Sequence, residues 1–242
     1  MKPRFIAAIL LVSLTVFTTA STAGDENIPV LSVQQVLEQY INAVGGAAAI
    51  SKLTSRTMKG VLTNDLRDRN EPVFEEYPVE AYSKLPNLRL FIEKKEGGNT
   101  AEGFNGKQFW EATLKDTIIG TEEGNLKMAW LQNPQNALKI QDYFPNLSYG
   151  GTADLRGKMC YKLVPEKLNP LYYSLYFDVT TGLLASLGWY WELNDWKPVD
   201  GVLIPHEIVA DRKGGSTTYV FTEVAHNQEL NDALFRVPKL EE

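Results

Sequence analysis

Cysteine is almost missing from this chain, which has one, Cys160, among its 242 residues. A single cysteine cannot form an intrachain disulfide, so no disulfide framework supports the fold. Cys160 lies in an apolar stretch, where we expect a buried and unreactive thiol. The stability of the protein must therefore come from a hydrophobic core.

Histidine is nearly as scarce, with two residues, His206 and His226. A metal site would need distant ligands such as Asp142, Asp178 or Asp211 to converge, because no local spacing typical of a metal site is present. The sequence also lacks a nucleophile elbow, a haem-attachment motif and a zinc-protease helix. We therefore expect no catalytic residues, no metal and no cofactor, and we rank an enzyme below a binding protein.

Positive charge is in deficit, since 24 Lys and Arg residues face 30 Asp and Glu residues, for a net charge of −6. Such a surface repels the phosphate backbone of nucleic acids and anionic lipid surfaces. We expect no nucleic-acid partner. Any contact with lipid would have to rest on apolar surface.

Long apolar runs are absent except for one, Phe5–Phe17, which follows the basic residues Lys2 and Arg4. The small residues Ser21–Ala23 come next and are typical of a signal-peptidase site. This pattern predicts a cleaved signal peptide at 1–23 and export, to the periplasm in a Gram-negative cell. The run is shorter than the ~20 residues that span a bilayer comfortably. An uncleaved membrane anchor is the alternative.

A flexible leader at 24–31 is predicted to precede a helix that opens a single domain at 32–242. Ser32 and Gln35 form a capping-box signature, in which each side chain can satisfy a backbone donor. The apolar residues that follow have the spacing of one helical stripe: Val33, Val36, Leu37, Tyr40, Ile41 and Val44. Gly45-Gly46 then ends the helix. Because the stripe must be buried, the helix either packs on a sheet or forms a lid over a concave one.

Most of the remaining sequence is typical of strands, with turn signals at Asn105-Gly106, Thr181-Gly182 and Asp200-Gly201. The exception is Leu126–Tyr143, which we predict to form two short helices that meet at Asn133. The segment Leu171–Ile208 is predicted to form about three strands. Its many aromatic side chains either fill a core or line a cavity.

Several motifs of the chain resemble those of the periplasmic lipoprotein carrier superfamily, the LolA/LolB-like proteins, and especially exported outer-membrane lipoprotein-sorting proteins. The resemblance spans most of the chain after the predicted signal peptide. It rests on Lys59-Gly60 and on the stretches YINAVGG at 40–46, GFNGKQFW at 103–110, GKMCYKL at 157–163, YFDVTTGLL at 176–184 and WKPVDGVLIPH at 196–206. These motifs are turn and strand residues, so they indicate fold more directly than function.

The resemblance implies a mainly β (α+β) fold, a strongly curved antiparallel sheet that forms an incomplete barrel of about ten or eleven strands. An N-terminal helix and the mid-chain helical insertion would cap it. The implied function is an exported carrier that holds an apolar ligand, a lipid or the acyl chains of a lipoprotein. The alternative is a non-catalytic envelope scaffold or interaction module on the same fold.

Large apolar side chains are the candidates for lining such a cavity. We name Trp110, Trp130, Leu131, Tyr143, Phe144, Phe177, Trp189 and Trp191. For each of them the alternative is an ordinary place in the core. The expected partners are lipid or lipoprotein acyl chains, with envelope membrane proteins as further candidates, and we expect a monomer.

Overall fold

In the described residues of the computed structural model of the chain, thirteen antiparallel strands form one sheet. The structure describes residues 28–67, 73–113, 115–120, 126–169 and 173–238. The predicted signal peptide at 1–23 lies outside these ranges. Across the sheet the strand order is β6-β5-β4-β3-β2-β1-β13-β12-β11-β10-β9-β8-β7. The two halves of the chain therefore meet where the first strand pairs with the last.

The strands have the following bounds. They are β1 (Ser55–Leu66), β2 (Val73–Lys84), β3 (Leu88–Glu93), β4 (Thr100–Phe104), β5 (Phe109–Ala112), β6 (Thr117–Gly120), β7 (Leu147–Leu155), β8 (Lys158–Pro165), β9 (Leu175–Asp178), β10 (Leu184–Leu187), β11 (Trp191–Val199), β12 (Val202–Arg212) and β13 (Gly215–His226). The α-helices with fully described bounds are α1 (Val33–Ala43), α2 (Ala47–Ile50), α3 (Leu126–Gln132) and α4 (Ile140–Tyr143).

The predicted number of strands, about ten or eleven, was too low for two reasons. The edge strand β6 is only four residues long and gave no alternating pattern. The aromatic segment also contains β9 to β12 rather than three strands, because a turn separates β10 from β11. Gly188 makes this turn with a φ of 66°, a value that glycine adopts at low steric cost.

The sheet is curved but does not close into a barrel, and its inner face carries the main core. Met58 on β1 lies beside Ala81 on β2, which lies beside Phe91 on β3. Toward the other edge, Tyr161 pairs with Phe177. Helix α1 and the insertion α3–α4 pack against this face. The prediction of a mainly β incomplete barrel with these two helical caps is confirmed.

Helix α1 begins with the predicted capping box. The Ser32 Oγ accepts from the Gln35 backbone N–H at 3.2 Å, and Gln35 Oε1 accepts from the Ser32 N–H at 2.9 Å. Gly45 follows the helix with a φ of 123°. A Cβ at Gly45 would lie 2.3 Å from the carbonyl oxygen of Gly201. The end of the helix is therefore set directly on the β11–β12 turn.

The mid-chain insertion has less helix than predicted. Helix α3 ends at Gln132 and α4 begins only at Ile140, so the two do not meet at Asn133. The Asn133 Oδ1 accepts from the Gln135 backbone N–H at 2.8 Å and starts a series of turns instead. None of the helices in the described ranges is long and apolar enough to cross a membrane.

Two further features concern the loop between β4 and β5 and the segment that follows β13. The Asn105-Gly106 signal marks a loop longer than the two-residue hairpin that it predicted, because β4 and β5 pair from Phe104 to Phe109. After β13, a 3₁₀ helix at Asp232–Phe235 returns to the convex face. There Phe235 packs with Leu90 and Trp110 in a second, smaller core.

Candidate ligand-binding site

Arg56 on β1 is buried beneath the helical insertion, with 2% of its surface exposed. Its Nη1 donates to the carbonyl oxygen of Leu131 at 3.1 Å, and its Nη2 donates to that of Pro134 at 3.0 Å. Its Nε donates to His226 Nε2 at 3.1 Å. Arg56 therefore fastens the insertion to strands β1 and β13.

The partner histidine of Arg56 is neutral at neutral pH. Burial and the adjacent Arg56 charge lower the pKa of His226 to about 4. Because Arg56 can only donate, Nε2 of His226 must accept, so the ring proton lies on Nδ1. That nitrogen is 3.4 Å from Asp200 Oδ2. Burial lowers the pKa of Arg56 to about 10, which leaves the guanidinium charged at neutral pH.

A small enclosed cavity lies beside Arg56, between the sheet and the insertion. Its volume is about 20 Å³, room for a single water molecule. The sheet contributes Met58, Ile208 and Phe221, and the insertion contributes Leu131 and Gln132, among other residues. Both polar atoms of the buried Gln132 amide lack a hydrogen-bond partner among the described residues. At this part of the concave face the insertion thus leaves room for about one water molecule.

A second and larger pocket opens at the turn between β10 and β11. Its volume is about 650 Å³, and Trp189, Tyr190 and Trp191 form much of its wall. The Nζ of Lys127, from α3, lies 5.5 Å from the ring centroid of Tyr173 and 5.3 Å from that of Trp191. We call this the Lys127 pocket.

Solved structures of other proteins share this fold. The chain is similar to a LolA superfamily protein from Nitrosomonas europaea, with a TM-score of 0.54, 12% sequence identity, and 86% of this chain and 98% of that chain covered. The chain has the LolA-like fold. A DUF1329 family protein from Desulfovibrio piger is similar at a TM-score of 0.53 and 13% identity, over 84% of this chain and 97% of that one. No family model and no curated protein matches the sequence.

Four of the predicted lining residues lie in the interior of this LolA-like fold. Trp130, Phe144 and Phe177 are almost completely buried in the main core, as in the alternative of ordinary packing. The Trp130 ring meets Phe144 edge-on at a centroid distance of 5.9 Å. Leu131 lines the small cavity beside Arg56.

The other four predicted residues are spread over three places. Trp189 and Trp191 line the Lys127 pocket. Tyr143 lines an outer groove of about 600 Å³ between the insertion and the β2–β3 turn. Trp110 lies on the convex face, where its Nε1 donates to the carbonyl oxygen of Phe235 at 3.2 Å. Trp110 is therefore separated from the concave interior by the sheet itself.

Sequence reasoning did not single out Arg56, Gln132 or Lys127. The signal for Arg56 was available, because strand alternation places it on the same face as Met58 and Leu62. A charge in an apolar stripe marks a buried polar contact. Lys127 and Gln132 lie on a short helix without a clear stripe, so their burial could not be read from spacing.

The scarce titratable residues occupy structural positions. The Nδ1 of the buried His206 lies 2.9 Å from the carbonyl oxygen of Ile204. Cys160 is fully buried on the convex side, and this burial raises its pKa to about 11, as expected for an unreactive thiol. Within the described ranges, no group of three His, Cys, Asp or Glu side chains is arranged to hold a metal ion.

Proposed function

We propose that this protein is an exported, non-catalytic carrier that binds a lipid or lipoprotein acyl chain between its concave sheet and the α3–α4 insertion. One observation carries the proposal: a separate segment covers the apolar inner face, and the buried Arg56 fastens it through two backbone carbonyls. The LolA-like fold supports the same reading. Export rests on the predicted signal peptide at 1–23.

The mechanism follows from the energies of the closed and open arrangements. Displacing the insertion breaks the Arg56 hydrogen bonds, each worth about 1.5–3 kcal/mol for a charged donor. It also uncovers inner-face residues such as Met58, Ile208 and Phe221. An acyl chain gains about 0.8 kcal/mol for each methylene it buries there, or about 10 kcal/mol for a dodecyl chain. Such a ligand can therefore replace the insertion as the cover of the core.

The first prediction concerns the contact that holds the insertion closed. Replacing Arg56 with leucine removes the donors to Leu131 and Pro134 and keeps an apolar side chain on the inner face. We expect the R56L variant to bind a fluorescent acyl probe faster and more tightly than wild type, because a larger fraction of molecules has the insertion displaced. Stopped-flow and equilibrium fluorescence measure both quantities.

Lys59 provides the matched control for this experiment. It faces outward on the same strand and is exposed, so K59L also replaces a cation with leucine but does so without touching the insertion. K59L should bind the probe as wild type does. Absence of probe binding in wild type, R56L and K59L alike, with all three folded by circular dichroism, would reject the carrier proposal.

A scaffold role is the second candidate, and one observation favours it. The edge strand β6 exposes Ile118 and Ile119, at 57% and 55% of their surface. An edge strand with exposed apolar side chains can pair with a strand of another protein. In that case the double variant I118K/I119K would no longer bind an envelope membrane protein, while its binding of the acyl probe would be unchanged.

A further inference from the structure

Lys127 is a buried cation without a carboxylate partner among the described residues. Only 7% of its surface is exposed, and desolvation is the sole cause that lowers its pKa, to about 8. The ammonium therefore stays protonated at neutral pH. Its contacts with the Tyr173 and Trp191 ring faces compensate for part of the lost hydration. The charge is poorly solvated and faces a pocket of about 650 Å³.

The other charges around the Lys127 pocket leave it positive. Arg156 contacts two carboxylates, Glu192 and Asp211, the latter at 2.6 Å. Lys213, also in the lining, is exposed and forms no ion pair with any described residue. Among the described residues, the three cations Lys127, Arg156 and Lys213 outnumber the two carboxylates, so the surroundings of the pocket carry one net positive charge. A cationic ligand would be repelled here, whereas an anion would be attracted.

The walls of the pocket suit a ligand that is apolar beyond its charge. Trp189 exposes 43% of its surface at the pocket and is held by an edge-on contact with Tyr176, at a centroid distance of 6.4 Å. The turn that carries Trp189 is fixed by Ser186, whose Oγ lies 2.7 Å from the carbonyl oxygens of Gly188 and Trp191. The pocket is also within the volume range of small-molecule sites.

A row of aromatic rings connects the Lys127 pocket with the interior. Trp191 lines the pocket and stacks on Tyr219 at a centroid distance of 6.4 Å. Tyr219 in turn stacks on Phe221 at 6.5 Å. Phe221 lines the small cavity beneath the insertion. An apolar chain that starts at Lys127 can therefore follow these rings to the inner face.

We propose that the Lys127 pocket binds the oxyanion headgroup, a phosphate or a carboxylate, of the ligand whose apolar chain enters the interior. This inference rests on the proposed carrier function and assigns the chemical class of the ligand. The pocket is open while the insertion is closed, so the headgroup can bind first and the chain can follow. The bound oxyanion then forms a charge-assisted hydrogen bond with the Lys127 ammonium, which has no carboxylate partner among the described residues.

Isothermal titration calorimetry with dodecyl phosphate, on the full chain after signal-peptide removal, tests the assignment. K127M keeps the length and apolar character of the side chain and removes its charge, and K107M makes the same change on the exposed β4–β5 loop. We expect K127M to bind dodecyl phosphate at least about tenfold more weakly than wild type. K107M should bind as wild type does. Equal affinity of K127M and wild type would overturn the proposal.

Two further ligands separate the possible outcomes. Dodecyl maltoside has the same chain and no charge, so its binding should be equal in wild type and K127M. Inorganic phosphate tests whether the site takes a free anion. If it binds as tightly as dodecyl phosphate and K127M weakens that binding, the pocket is an oxyanion site, but for a free ion. If neither amphiphile binds, the carrier function fails, and the phosphate titration still decides whether the pocket takes an oxyanion.

The variants need one structural check. Because Lys127 lies on α3, K127M could alter the insertion rather than the pocket. K213M removes the second ammonium from the exposed rim, outside the insertion. A weaker affinity of K213M for dodecyl phosphate, with unchanged affinity for dodecyl maltoside, supports the headgroup site. If K127M weakens the binding of both amphiphiles equally and K213M weakens the binding of neither, the proposal is wrong.

Discussion

Arg56 and His226 share a hydrogen bond inside the protein, and only the arginine is charged at neutral pH. A charged histidine at this position would lose its role as acceptor and face the guanidinium as a second cation. The hydrogen bond between His226 and Arg56, the residue that holds the insertion, therefore depends on the protonation of the His226 ring. Lys127 is a second buried cation, and its charge is stabilised by contacts with aromatic rings.

At the residue scale we predict that His226 makes the protein less stable in acid. Its pKa of about 4 in the folded state lies below the usual value of about 6.5 in the unfolded chain. The unfolded state binds more protons between these values, so the free energy of unfolding falls as the pH drops from about 6.5 to 4. Urea unfolding at several pH values measures this slope.

The H226Q variant tests the origin of that slope. Glutamine keeps an acceptor near the position of Nε2 for Arg56 but does not titrate. We expect a smaller loss of stability between pH 6.5 and 4 in H226Q than in wild type. An identical slope in H226Q would show that other groups cause the acid sensitivity.

At the element scale, the parts of the fold with local signals could be predicted from sequence. Ser32 and Gln35 predicted the start of α1, and the glycine pair predicted its end. The turn at Gly188–Tyr190 was missed because it holds Trp189 and Tyr190 and is flanked directly by Leu187 and Trp191, without the polar residues that usually mark a turn. That turn carries the wall of the Lys127 pocket, so the pocket could not be predicted either.

The docking of α1 on the β11–β12 turn gives a prediction for Gly45. In G45A the new methyl group would meet the Gly201 carbonyl oxygen, and alanine would also have to adopt a φ of 123°. We expect a loss of about 2–4 kcal/mol in the free energy of unfolding. Gly97 is the matched control, since it also has a positive φ but no described atom within 4 Å of the position that a Cβ would occupy.

Denaturant unfolding of G45A and G97A measures this difference. G97A should lose only about 1–2 kcal/mol, the cost of the left-handed backbone alone. Equal losses in the two variants would mean that the helix end tolerates movement away from the turn. In that case α1 is not rigidly docked, and it could itself move as a lid.

At the scale of the whole molecule, one curved sheet has two distinct coverings. Helices α1 and α3–α4 cover its concave face, and the C-terminal segment covers part of the convex face at Trp110 and Phe235. Strand patterns indicated a sheet, and the resemblance to LolA/LolB-like proteins implied its curvature and its helical caps, but neither could assign each aromatic residue to a face. That assignment depends on register and on long-range contacts, such as Trp110 with Phe235, that are distant in sequence.

In the proposed function, the interior of this LolA-like fold holds an acyl chain in the cell. Organic extraction and mass spectrometry of the mature protein, purified without detergent from its native envelope, detect such a ligand. We predict lipid at a ratio near one per protein, with a phosphate or carboxylate in its headgroup. Protein that carries no lipid, and that leaves the signal of a fluorescent acyl probe unchanged, would contradict the claim.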